Sequence, residues 1–276
     1  MQEARMEMKV ISLLNLKGGV AKSFTAVNLG YELWRRGYRV LLLDNDKQGN
    51  LSKGYGRYDG EQTAPITRLL NGDWNDAEEL IQQTDYNGLD IITANMSLFG
   101  AVWNLIKESP ADMLGRYRRL MDADTEDGRK VSEKYDYCII DNPPDIGLNV
   151  LNALMVTDEV VVPVKIDDNA LEGLDIVAEQ IEEAKALNPS VILKGVLVTC
   201  YQKTDGESAG LEWLRQEWEN TDSVHYRKYP ILGIIRYSKK AAENSFVRKP
   251  VYEYSPCCGA AQDYKKFVTS YTGKGR

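Results

Sequence analysis

A doubly wound α/β fold, a mostly parallel sheet with helices on both faces, is predicted by three observations. Short apolar runs alternate with amphipathic helical stretches along the whole chain. Several of the runs are almost entirely apolar, as strands covered on both faces must be. The first run leads through a glycine turn straight into a helix and a second run, which is one βαβ unit with a right-handed crossover. No internal repeat, low-complexity tract or linker interrupts the pattern, so residues 1–276 are read as one domain.

The elements follow in order. Val10 to Leu14 is the first buried strand. Ser23 to Arg36 is a helix, with Val27, Tyr31 and Trp34 on one stripe and Ala26, Leu29 and Leu33 on the next. Gly37 is placed to end it in a left-handed conformation. Tyr38 to Leu43 is a second buried strand that stops at Asp44. Leu89 to Thr93 is a weaker strand, and Tyr137 to Ile140 a strong one stopping at Asp141. Val160 to Val164 is a strand, Leu171 to Leu187 a helix, Val191 to Thr199 a strand and Gly210 to Asn220 a helix. Ile231 to Ile235 is short and apolar, and Ala260 to Tyr271 is a final helix. The charged stretch Asp122 to Lys134 reads as a solvated loop or helix end. Trp103, Trp213 and Trp218 are expected to pack in the core or between helices.

Composition excludes several classes. The formal net charge of −7 argues against a surface coated in positive charge, though a local basic patch is compatible with it. The apolar runs are far shorter than the ~20 residues a membrane span needs. Met1 to Lys9 lacks the apolar core of a signal peptide, so a cytoplasmic location is expected. Cys138, Cys200, Cys257 and Cys258 form no C-x-x-C pair and His225 is the single histidine, a poor set for zinc.

The chemistry is concentrated in Lys17-Gly18-Gly19-Val20-Ala21-Lys22-Ser23. A strand, a glycine turn and a helix start make an anion site, because backbone N–H groups converge there and the helix dipole adds positive potential. Lys22 would lie along the β- and γ-phosphates, and the Ser23 hydroxyl would meet Mg2+. The pattern G-x-x-x-x-G-K-[ST] is not met in full, since Leu16 and Ala21 occupy its glycine positions. Asp44, Asp46 and Asp141 follow buried runs, at the carboxyl edge where parallel sheets hold ligands. A magnesium ion and three phosphates need such hard oxygen ligands and a group to orient water.

Asn15 to Ser23 resembles the deviant Walker A loop of the ParA/MinD ATPases, whose signature lysine stands where Lys17 does. Leu43 to Ser52 is similar to that family's D-x-D-P-Q-G-N segment, and Tyr135 to Pro144 to its Walker B strand and switch. Ala170-Leu171-Glu172-Gly173-Leu174 matches a family helix start, and Arg236 to Ala261 follows its C-terminal R-x-S, K-P-V and G-A pattern. Within the family the small Soj-like partition type is the nearest match. The resemblance implies a phosphate-loop fold and an Mg-dependent ATPase with ATP and Mg2+ as cofactors. It places nucleotide on Lys17 to Phe24 (Lys17, Gly18, Gly19, Val20, Ala21, Lys22, Ser23, Phe24) and Asp141, and metal at Ser23, Asp46 and Asp141. Lys17, Lys22 and Asp46 become the catalytic set, Asp46 as the water-positioning acid. Lys17 would cross to the nucleotide of a second subunit.

The resemblance further implies an ATP-dependent homodimer that binds double-stranded DNA without sequence preference, is stimulated by a ParB-like partner and is nucleoid-associated. Lys203, Arg236, Lys239 and Lys240 lead the DNA candidates, with Arg227, Lys228, Arg248, Lys249, Lys265 and Lys266 behind them. Tyr264, Phe267, Val268 and Tyr271 read as the inward stripe of a packed last helix, which leaves no membrane-binding one. Tyr201 and Ile234 to Tyr237 are placed near the base. This sequence departs from the family at four positions. Ala21 is expected to take an ordinary backbone conformation; Phe24 loses a hydroxyl; Lys47 replaces a proline; Asp145 replaces a serine. Two other readings share the scaffold: a synthetase or kinase acting on a small molecule, and a regulatory protein that binds ATP with little hydrolysis.

Overall fold

The computed structural model describes residues 8–167, 170–219 and 230–273. Eight strands form one sheet: β1 Lys9–Leu13, β2 Val40–Asp44, β3 Gln82–Gln83, β4 Leu89–Ile92, β5 Tyr137–Asp141, β6 Glu159–Lys165, β7 Ile192–Tyr201 and β8 Ile231–Arg236. Their order is β3-β4-β2-β5-β1-β6-β7-β8. All pairs are parallel except β3 with β4. The doubly wound fold predicted above is therefore the fold observed, with the antiparallel edge strand β3 added.

Strand residues alternate between the two faces. On β5, Tyr137 and Ile139 join one apolar cluster, while Cys138 and Ile140 join another. The first cluster lies under the helices Lys22–Arg35 and Gly259–Thr272, which press Leu29, Leu33, Tyr264 and Phe267 onto the sheet. The opposite face carries two clusters. One is built with Pro65–Asn71, Leu98–Leu105 and Arg116–Met121, the other with Ala170–Ala184 and Asp205–Glu219. Layers on both faces explain why β2 and β5 are buried at every residue and why their sequences are nearly all apolar.

Asp122 to Lys134 is mostly exposed, as expected, and adds an isolated antiparallel bridge, Asp124 to Lys130, before the short helix Val131–Lys134. Other expectations need correcting. The helix expected from Gly210 begins at Asp205, where the Thr204 hydroxyl accepts from the Glu207 N–H at 3.2 Å and caps the first turn. Trp103 is 57% exposed and Trp213 40% exposed, so neither is a core residue, and the Trp218 side chain lies outside those described. Trp103 stands with Met96, Phe99 and Ile106 on an outward stripe of the helix Leu98–Leu105 and its flanks. Helical spacing alone did not say which side of that helix faces the sheet. In the last helix Tyr264, Phe267 and Val268 are buried. Among the described residues no helix is long and apolar enough to cross a membrane.

The order β2-β5-β1-β6 makes β1 a switch point. Chain leaves β1 and its neighbours in opposite directions, and a crevice opens at their carboxyl ends.

Candidate nucleotide site

From the end of β1 the chain turns through residues 14–21 into the helix Lys22–Arg35. Side-chain bonds from Asn15 and Thr199 help hold that turn. Asn15 donates Nδ2 to the Pro163 carbonyl at 2.8 Å, and its Oδ1 accepts the Lys17 N–H at 2.8 Å. Thr199, on β7, donates its hydroxyl to the Val20 carbonyl at 3.0 Å. The loop is thus fastened to β6 and β7 as well as to its own strand. Val20 itself is buried and lies outside the cleft lining.

Ala21 corrects an expectation. It sits at φ 59°, ψ 32°, the left-handed region, where it caps the helix and accepts the Thr25 N–H at 2.9 Å. For a residue with a Cβ that conformation costs roughly 1–2 kcal/mol. The turn from the glycine pair into the first helical turn demands it, and alanine has the smallest side chain that still carries the penalty. A strained residue in the phosphate loop is held by the bonds around it.

The loop floors a cleft of about 610 Å3. Gly18, Gly19, Ala21, Lys22, Ser23 and Phe24 line it together with Asp46, Lys47, Gln48 and Lys53 and with Pro144, Asp145, Arg248 and Lys249. A Cβ built on Gly18 or Gly19 would meet no protein atom within 4 Å. Packing does not demand glycine at these two positions; bareness of the cleft floor is what glycine supplies there. Gly19 also takes φ 74°, which favours glycine. Lys22 is buried, and its Nζ donates to the carbonyls of Asn15 and Lys17, each at 3.0 Å. Burial lowers its pKa, and the nearby Asp141, Asp46 and Asp145 carboxylates oppose that fall.

The three strand-end acids have different environments. Asp44 is fully buried and accepts from the Ser52 N–H at 2.8 Å and the Ser52 hydroxyl at 2.6 Å. Burial pushes its pKa up to about 6 against those bonds. The Ser52 hydroxyl in turn accepts the Ala94 N–H at 3.0 Å, so Asp44 braces the helix Asn50–Gly54 and the chain after β4. Asp46 lines the cleft and uses one oxygen to accept the Gln48 N–H at 3.0 Å. Asp141 is buried below the floor, and neither of its carboxylate oxygens makes a hydrogen bond of good geometry among the described residues, the Ser23 hydroxyl being near enough only to lower its pKa. Burial raises its pKa well above the usual carboxylate range, Asp44 adds to the rise, and Ser23 and Lys22 pull the other way. A buried carboxylate with so little polar contact is expensive. A divalent cation between Ser23, Asp46 and Asp141 would satisfy it, so the residues present fit Mg2+ and a polyphosphate.

Lys17 stands apart from this cluster. It lies outside the cleft lining, and its ammonium pairs with Asp167 of its own chain at 2.5 Å. Phe24 and Ala21 also line a second cavity of about 240 Å3, walled by Thr199, Cys200, Ile235, Tyr237 and Tyr264. It adjoins the phosphate loop and is mostly apolar, which suits a purine base. Tyr201 is outside its lining and shares a 3.2 Å hydrogen bond with Ser208.

The DNA candidates gather at the carboxyl ends of β7 and β8. Lys203 follows β7 and is exposed, at φ 58°. Arg236, the last residue of β8, is bound to Asp263 of the final helix at 2.7 and 2.9 Å. Lys240 pairs with Glu243 at 2.8 Å, and Lys239 is exposed beside it. Arg248 and Lys249 face the nucleotide cleft. Arg227 and Lys228 lie outside the described residues.

Asn15 and Thr199 were not singled out from the sequence. An asparagine directly after a buried strand, three residues before a glycine pair, is a turn-forming signal that could have found the first. Thr199 carries no such signal, because only the tertiary fold brings β7 to the loop.

A glycine-floored anion cleft at the switch point of a parallel sheet, with a lysine and carboxylates converging on it, defines a phosphate-loop nucleotide-binding protein. A family model described as an AAA domain matches residues 8–193. The sporulation initiation inhibitor protein Soj of Bacillus subtilis is 31% identical over 97% of this chain and 99% of its own. The chromosome-partitioning ATPase Soj of Thermus thermophilus is 32% identical, over 96% and 95%. A solved structure of cobyrinic acid a,c-diamide synthase from Mycobacterium smegmatis with bound ADP and magnesium superposes with a TM-score of 0.75 at 25% identity, covering 97% of both chains. This chain belongs to the ParA/MinD family of phosphate-loop ATPases.

Proposed function

We propose that this chain is a partition ATPase, binding ATP with Mg2+ and closing into a homodimer that holds DNA without sequence preference until a ParB-like partner triggers hydrolysis. The observation that carries the ATPase part is the convergence of Lys22, Asp46 and Asp141 on one glycine-floored cleft. Loop N–H groups and Lys22 hold the phosphates, and the apolar cavity beside Phe24 takes the adenine. Mg2+ supplies charge neutralisation on the phosphates, held by Ser23, Asp46 and Asp141. Asp46 orients the attacking water, and positioning with charge neutralisation supplies most of the rate. Lys17 leaves Asp167 and reaches the partner subunit's nucleotide. The relatives named for chromosome partitioning support the cellular role.

Lys203, Lys239, Lys240 and Arg236 at one sheet edge form the DNA surface, on a cytoplasmic, nucleoid-associated protein. Binding of a fluorescent duplex of arbitrary sequence, titrated with salt, tests it. The expected result is retention with ATP and loss with ADP, and a log–log salt slope that becomes shallower by about one for each phosphate-contacting lysine replaced. Equal binding with either nucleotide would contradict the switch. A second reading, a synthetase acting on a small acid, draws on the fold shared with the diamide synthase. Turnover that appears only with a small-molecule acceptor would favour it.

A further inference from the structure

The carboxyl ends of β2 and β5 are joined by side chains as well as by their backbone ladder. Asn45 follows Asp44 and precedes Asp46; Asn142 follows Asp141 and precedes Pro143. Asn45 Nδ2 donates to Asn142 Oδ1 at 2.8 Å and to the Asn149 carbonyl at 3.1 Å. Asn149 Nδ2 returns a bond to the Asn45 carbonyl at 3.0 Å, and Asn142 Nδ2 donates to the Leu13 carbonyl at 3.2 Å. The three side chains are 0%, 1% and 5% exposed. They connect the ends of β1, β2 and β5 with the helix Leu148–Leu154 that follows the switch segment.

This arrangement is costly as mere filling. Asn45 Oδ1 is buried and has no hydrogen-bond partner among the described residues. An apolar pair of similar volume would leave no such orphan, at the cost of the bonds to the Asn149 and Leu13 carbonyls. What amides add is fixed geometry, since their directional donors hold Asn142 Oδ1 and the Asn149, Asn45 and Leu13 carbonyls in place. That geometry lies between Asp46, on the cleft wall, and Asp141, beneath its floor.

We propose that Asn45, Asn142 and Asn149 tie the Asp46 loop and the Asp141–Pro144 loop into one body, and that Asn45 and Asn142 are positioning residues for hydrolysis. The second half rests on the ATPase reading above. Neither asparagine lines the cleft, so each acts through its neighbouring aspartate. A displacement of about 1 Å at such a group slows a reaction by as much as 10²-fold.

Two readouts test this on the full chain. The first is amide hydrogen exchange without nucleotide, wild type against Asn142→Leu. The expected result is exchange at least about tenfold faster in residues 45–50, which lie on the other strand's loop, because the local opening free energy falls. The second is turnover. Asn45→Leu and Asn142→Leu each lower kcat by roughly 10- to 100-fold, with KM for ATP within about threefold. The double variant recovers thermal stability, because the orphaned partners are gone, and does not recover kcat. It also carries both readouts should a single variant fail to fold. Unchanged exchange in residues 45–50, or kcat returning together with stability in the double variant, overturns the proposal. If the wild-type chain hydrolyses no ATP, the ATPase reading falls with the positioning role, and the exchange comparison still decides whether the tie exists.

Discussion

Replacing Asp46 with alanine lowers steady-state ATP hydrolysis at least about 100-fold and leaves ATP affinity within about threefold. The structure gives the reason for the split. Asp46 lines the cleft from the chain after β2, while the groups that would hold the phosphates, Lys22 and the loop N–H donors, come from the chain between β1 and the helix Lys22–Arg35. Its only side-chain hydrogen bond among the described residues is the local one from Gln48, so its removal leaves β2 and the Asp44–Ser52 brace in place. Phosphate release measured beside a fluorescent-nucleotide titration checks the prediction. Loss of affinity in parallel with loss of turnover would mean that Asp46 acts by holding Mg2+ and nucleotide and not by orienting water.

Replacing Lys22 with alanine weakens ATP binding by about 100-fold or more. The ammonium is buried, it is the one lysine of the phosphate loop that lines the cleft, and it offsets three carboxylates. Its loss leaves Asp46, Asp141 and Asp145 facing an anionic ligand without that cation. Lys22 also bonds two loop carbonyls, so loop geometry is a competing cause. Lys22→Gln separates them, because an amide can still donate to Asn15 and Lys17 but carries no charge. Calorimetric titration with ATP and Mg2+ is expected to show both variants crippled. Near wild-type binding by Lys22→Gln would assign the lysine a structural role.

Much of this was legible in the sequence because strands and phosphate loops leave local signatures. Runs such as Val40 to Leu43 and Tyr137 to Ile140 are apolar at every residue because helices cover both faces of the sheet. The acids that end them mark the carboxyl edge. The short helices between β2 and β5 were not read: Pro65–Asn71, Leu98–Leu105 and Arg116–Met121 are each three turns or fewer, and their stability comes from packing. β3 is two residues long and has no pattern to detect. Within the site, residue type predicted placement for Lys22 and Asp46 but failed for conformation. Ala21 is left-handed because the loop's closure requires it, and nothing in an alanine announces that. Contacts between distant segments were also invisible, including Thr199 on the Val20 carbonyl, Lys17 on Asp167 and Arg236 on Asp263.

The central claim is that ATP converts one chain into a DNA-holding pair. Light scattering coupled to size exclusion on Asp46→Ala, with ATP and Mg2+ and with or without a nonspecific duplex, tests it most directly. The predicted result is a dimer that forms with ATP, co-elutes with DNA and is lost on adding Lys17→Gln. A monomer under every condition would contradict the account and leave the chain as an ATPase that acts alone.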